Sequence, residues 1–127
     1  MSTTKPYSSY VLVAIATIKE HIDNDPFYYK KATDLLDKLS TPHRNIVEKA
    51  FKAVYGCRIK RYQVRQRLHV AKQYLMEGLP KKLVADKCLY ESSSSFSTAF
   101  RKEFGMSPTE WEYSARKHIT TSNTAKM

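Results

Sequence analysis

Apolar residues recur along most of this chain at intervals of three and four, the spacing of one face of an α-helix. Over residues 10–22 the set Val11, Leu12, Ala14, Ile15, Ile18 and Ile22 predicts an amphipathic helix, stopped at residues 23–26. Residues 31–39 predict a shorter one with Leu35, Leu36 and Leu39 on one side. After Ser40 and Thr41, either of which can cap a helix that tolerates Pro42 in its first turn, residues 42–54 predict a third. It places Ile46, Val47, Ala50, Phe51 and Val54 inward and ends at Gly56, a residue suited to a left-handed cap. Residues 60–77 predict the longest helix, with Val64, Leu68, Ala71 and Leu75 inward and Arg61, Arg65, His69 and Lys72 opposite, closed by Gly78 and Pro80. A short helix over residues 81–88 carries Leu83, Val84, Ala85 and Cys88. A serine-rich stretch then runs to Gly105, and a last helix is expected over 109–118. No stretch alternates with the period of a strand, so the fold class is all-α, with about seven helices. Residues 1–8 read as a flexible lead and 119–127 as a flexible tail.

A second regularity lies over the first. The segment AFKAVYG ends at Gly56 and AFRKEFG ends at Gly105, so Ala50 matches Ala99, Phe51 matches Phe100, Lys52 matches Arg101 and Tyr55 matches Phe104, all 49 residues apart. Tyr62 and Trp111 follow their glycines at the same distance, and Leu36 pairs with Ala85 and Val47 with Phe96. Helix periodicity alone matches apolar faces; it does not also match the glycine and the aromatic after it. The chain therefore reads as two copies of one helical unit, residues 9–56 and 81–118, joined by a linker helix over 60–77. A short helix, a polar turn and a longer helix in each copy make a helix-turn-helix candidate. Two such units held on one face of B-DNA would read adjacent major grooves about 34 Å apart.

Composition adds a partner class. Among 127 residues, Lys and Arg total 22 against 12 Asp and Glu, a formal charge of +10. The first 40 residues carry five of each sign, whereas residues 41–80 carry nine basic and two acidic. A polyanion is the expected partner, nucleic acid before membrane. Cys57 and Cys88 have no neighbouring Cys or His at metal-ligand spacing, so neither metal nor cofactor is expected. The absence of a signal peptide and of any apolar run near 18 residues implies a reduced, cytoplasmic chain, nucleoid-associated when bound to DNA. The four histidines are dispersed, and the serine run lacks the strand-to-helix elbow of a serine hydrolase, so no catalytic residues are expected.

The segment FSTAFRKEFGMSP, residues 96–108, resembles the signature of the AraC/XylS family of bacterial transcriptional regulators. AFKAVYG followed by Tyr62, Arg67, Ala71 and Leu75 is similar to the family's first unit and linker. The resemblance spans about residues 9–116 and implies seven helices, DNA binding by the third and sixth, and transcription control at promoters, with RNA polymerase a further partner. It also implies that many members carry a separate effector or dimerisation domain. This chain resembles the short subset or an excised domain, so neither a small-molecule effector site nor a dimer is expected unless it is part of a longer regulator. Two departures stand out. Leu89 takes the place of the second turn's glycine, before Tyr90, and Thr41-Pro42-His43 replaces the glycine, hydrophobe and serine of the first.

Arg44, Asn45 and Glu48 are expected to read bases from the third helix, because arginine suits guanine, asparagine adenine and glutamate cytosine; Lys49 either reads a base or holds phosphate. The matching outward positions of the sixth helix are Ser93, Ser94, Ser97 and Thr98, which discriminate less and so favour positioning. Phosphate clamps are expected at Arg58, Lys60, Arg61 and Arg65, then at Lys81, Lys82, Arg101 and Lys102. Val47, Phe51, Tyr62, Leu68, Ala71, Leu75, Ala85, Phe96, Phe100 and Trp111 form the expected core, whereas Arg67 lies at its edge and satisfies an internal group. The competing function is a helical protein-interaction module whose basic surface binds an acidic partner.

Overall fold

Helix periodicity of the kind described above folds into seven helices: α1 (Ser9–Asn24), α2 (Ala32–Lys38), α3 (Arg44–Tyr55), α4 (Ile59–Met76), α5 (Lys81–Lys87), α6 (Ser93–Phe104) and α7 (Pro108–Lys126). The computed structural model describes the backbone of residues 7–126 and the side chains of residues 7–117, and contains no strand among them. α5, α6 and α7 each begin 49 residues after α2, α3 and α4.

The fold divides into two units, residues 1–66 and 67–127, so α4 contributes its first half to one and its second half to the other. In the first unit Ile15, Ile18 and Ile22 of α1, Leu35 and Leu36 of α2, Val47, Ala50 and Phe51 of α3 and Ile59 of α4 are buried together. In the second, Leu68, Ala71 and Leu75 of α4 are buried, as are Val84, Ala85 and Cys88, and Phe96 and Phe100 of α6. Burial pushes the Cys88 thiol up to about 11, as expected of a cysteine used as a small apolar residue.

Aromatic packing repeats with the sequence. Phe51 meets Tyr55 and Tyr62 edge-on at 4.8 and 5.7 Å between ring centroids. Phe100 meets Phe104 and Trp111 in the same way at 4.6 and 6.1 Å. Each outer pair lies under a lysine: Lys19 of α1 is 5.7 Å from both Tyr55 and Tyr62, and Lys72 of α4 is 3.7 Å from Phe104 and 5.4 Å from Trp111. These are cation–π contacts. Lys72 is therefore committed to its own unit and does not belong to a free outer stripe with His69, which itself packs edge-on against Phe104 at 5.3 Å.

Several boundaries differ from the sequence-based expectation. α3 begins at Arg44, and its N-cap is His43 in the left-handed region with no side-chain cap bond, so neither Ser40 nor Thr41 caps it. Ile46 and Val54 are 46% and 50% exposed, because the buried stripe of α3 narrows to Val47, Ala50 and Phe51. Trp111 is half-buried, one face against Phe100, whereas its counterpart Tyr62 is 9% exposed and anchored by its hydroxyl to Asp23. Tyr7 packs against the first core and Ser8 caps α1, accepting from the Val11 amide at 3.2 Å, so these two residues belong to the fold; the rest of the expected lead lies outside the described residues. α7 continues to Lys126 through the segment expected to be a flexible tail, which contains no glycine or proline to stop it.

Candidate nucleic-acid interface

The turn that aims each longer helix is a helix C-cap. At the end of α2, the Ser40 amide donates to the Asp37 carbonyl at 3.0 Å and the Thr41 amide to Leu36 at 3.0 Å. At the end of α5, Leu89 donates to Asp86 at 3.1 Å and Tyr90 to Ala85 at 2.9 Å. Both are Schellman motifs, which require the residue after the cap to be left-handed. Ser40 has φ 53° and Leu89 φ 68°. The left-handed residue of the first turn is thus Ser40, one ahead of the Thr41 expected from the family pattern. Non-glycine residues keep the same geometry in both turns, at the cost of local strain.

α6 then starts from Ser92, whose hydroxyl accepts from the Ser95 amide at 3.1 Å. α3 starts from His43 without such a bond. Instead the guanidinium of Arg44, the first residue of α3, pairs with the carboxylate of Asp37 in α2.

The outward faces of α3 and α6 line two grooves in matching register. The first is formed by Thr33 and Leu36 of α2, Arg44, Asn45, Glu48, Lys49 and Lys52 of α3, and Arg58. The second is formed by Lys81 of α5 together with Ser93, Ser94, Ser97, Thr98, Arg101 and Lys102 of α6. Arg44, Asn45, Glu48, Lys49 and Lys52 stand 49 residues before Ser93, Ser94, Ser97, Thr98 and Arg101, so the same five helix positions face each groove. All eight residues expected to read bases are brought to these surfaces. Of the expected phosphate ligands, Arg58 joins the first groove and Lys81, Arg101 and Lys102 the second, while Lys60, Arg61, Arg65 and Lys82 line neither. Lys52 was not expected there, although its match to Arg101 in the repeat was the available signal.

Glu48 has a different environment from the rest. Its Oε1 accepts from the Ile59 amide at 3.3 Å, in the first turn of α4. The corresponding helix start in the second unit is satisfied locally: Ser107 accepts from the Glu110 amide at 3.1 Å, and Glu110 accepts from the Ser107 amide at 2.9 Å. That reciprocal pair is a capping box. Arg58, in the matching position before α4, has no acceptor to offer; Glu48 of α3 instead accepts from the first amide of α4, at the position where α7 has Pro108 and no N–H. Glu48, expected to read a base, thus has one carboxylate oxygen on a backbone amide of its own unit.

Among the described residues no group of three His, Cys, Asp or Glu side chains could hold a metal ion. No helix among the described residues is long and apolar enough to cross a membrane. Two left-handed turns, each followed by a helix with a polar and basic outer face, define a helix-turn-helix DNA-binding domain.

A family model described as a helix-turn-helix domain, of the AraC/XylS type, matches residues 42–113. The chain belongs to the AraC/XylS family, a family of DNA-binding domains of transcriptional regulators and not a family of enzymes. Over 67 residues it is 43% identical to a probable transcriptional regulator, LumQ, of Photobacterium leiognathi; the match covers 52% of this chain and about a quarter, 27%, of that protein. Two solved structures share the fold at 22% identity. The C-terminal domain of AraT, a response regulator from Geobacillus stearothermophilus, has a TM-score of 0.63 over 87% of this chain and 88% of its own. The xylose-binding transcription activator XylR has a TM-score of 0.60 over 87% of this chain and 28% of its own.

Proposed function

We propose that this protein binds double-stranded promoter DNA sequence-specifically, with α3 and α6 entering adjacent major grooves, and that it controls transcription by doing so. The observation carrying this reading is the pair of matched grooves, in which the same five positions of α3 and α6 face outward. Arg44 and Asn45 are assigned to base edges, Lys49 to a base or a phosphate, and Glu48 to cytosine only to the extent that it can leave the Ile59 amide. Ser93, Ser94, Ser97 and Thr98 let α6 approach closely and position the duplex, reading shape more than base identity. Lys52, Arg58, Lys81, Arg101 and Lys102 rim the grooves as phosphate ligands, with Lys60, Arg61, Arg65 and Lys82 contributing outside them. We place this action in the cytoplasm, on the nucleoid, with RNA polymerase as a further partner.

Selection from random duplex DNA tests this directly. Two recognition elements about one helical turn apart are expected, with affinity falling steeply as salt rises. Binding indifferent to sequence and phasing would favour the alternative, a basic module for an acidic protein.

A further inference from the structure

The residue best placed to read a base is already bound to an acid. Arg44 stands at the first position of α3, where an unsatisfied helix N-terminus disfavours a cation, and the first turn of α3 holds no acidic residue. Asp37, seven residues earlier and on α2, supplies the missing charge across the turn: Arg44 Nη2 donates to its Oδ1. The side chains of Arg44 and Asp37 are 42% and 67% exposed; Arg44 lines the groove, and Asp37 follows Leu36, which also lines it. The second unit has no equivalent. Its matching residues are Asp86 and Ser93, an acid with no arginine to hold.

Resting on the DNA-binding reading above, we infer that Asp37 is a specificity-determining residue that withholds Arg44 from phosphate while leaving it free to read a base. Transfer of the guanidinium from Asp37 to a phosphate exchanges one anion for another, and strands a carboxylate against a polyanion. Binding to guanine does neither. Asp37 occupies one N–H of a fork with five donors, and the remaining N–H groups can serve the O6 and N7 acceptors while the pair persists. Asp37 therefore penalises nonspecific association more than recognition.

The measurement is the affinity of the full chain and its Asp37→Asn variant for a selected duplex and for random duplexes, across a salt series. In Asp37→Asn, random-duplex binding is expected to tighten roughly fivefold, the scale of an exposed ion pair. The selected site is expected to tighten less, so that discrimination falls. Because Arg44 then becomes a phosphate ligand, the slope of log affinity against log salt on random DNA should steepen by about 0.9. In an Arg44→Ala background, Asp37→Asn should leave that slope unchanged. A merely structural Asp37 would lower the melting temperature without altering slope or discrimination, and that result overturns the inference. So does the same steepening in the Arg44→Ala background, which would make Asp37 a bulk charge. If the unmodified chain itself fails to distinguish any duplex, the DNA-reading assignment falls with it. Discrimination that is intact in both chains removes only the role of Asp37.

Discussion

Leu89 holds a conformation that costs an L-residue roughly 1–2 kcal/mol, and it does so with its side chain 46% exposed and little packing to lose. Leu89→Gly is therefore expected to stabilise the protein by about 1 kcal/mol, the relief of strain offset by the greater freedom of glycine in the unfolded chain. Urea unfolding measures it; a destabilised variant would mean that the exposed leucine packs more than its accessibility suggests. The sequence marked Leu89 as unusual for the family. It did not mark Ser40, because a serine in a polar turn is ordinary and its backbone angle is set by hydrogen bonds that no residue type reveals. Asp23 shows another limit of residue identity. It accepts from Lys19 at 2.7 Å, from Gln66 at 2.9 Å and from the Tyr62 hydroxyl, whereas its spacing suggested only a helix stop. Burial pushes its carboxyl upward, but the hydrogen bonds from Lys19, Tyr62 and Gln66 outweigh burial and hold it below the usual carboxylate range. A depressed folded value contributes stability that is complete above the unfolded value and is lost as pH falls through the folded one. The urea midpoint of Asp23→Asn should therefore lie below that of the parent near neutral pH, and the two should converge in acid.

Elements carry the roles that single residues leave ambiguous. Helix existence and order followed from periodicity, but starts and stops followed it less closely, because caps are settled by partners distant in sequence. Glu48 is the clearest instance: its chemistry suits cytosine, yet it lies beside the amide of Ile59, eleven residues on, at a helix start whose own Arg58 cannot cap. Glu48→Ala is expected to cost about 1 kcal/mol, the usual effect of losing an N-cap acceptor. Placing Ser at position 58 in the same background should restore part of it, by rebuilding the local arrangement that Ser107 provides for α7. A Glu48→Ala variant as stable as the parent would show that Glu48 does not act as a cap. Arg116 does comparable work at the other end of α4, donating to the Leu75 carbonyl at 3.0 Å and held by Glu112 at 3.0 Å. Lysine and arginine at such positions satisfy the last carbonyls of a helix. Pattern reading missed it because the contact joins residues 41 positions apart.

At the scale of the whole molecule the two copies are alike in backbone and unlike in chemistry. One groove presents Arg, Asn, Glu and Lys; the other presents hydroxyls inside a basic rim. Scrambling the base pairs under α3 is accordingly expected to cost about 1–3 kcal/mol per pair, and scrambling those under α6 distinctly less. Competition titrations with half-scrambled duplexes measure the difference, and equal penalties would contradict the assignment of roles. The repeat was legible because glycines and aromatics are conspicuous, and it marked the two helices that line the grooves. Lys72 and Lys19 were not legible as partners of those aromatics, since they stand 53 residues apart, about one helical turn out of the 49-residue register. The register of the repeat also separates α4 from α7. α4 closes one unit and opens the next with Leu68, Ala71 and Leu75, whereas α7, which begins in the same register, carries Lys117, Thr120 and Thr124 at those positions. The apolar stripe that lets α4 serve two cores is thus absent from the sequence of α7, so equal spacing of helices does not carry equal roles.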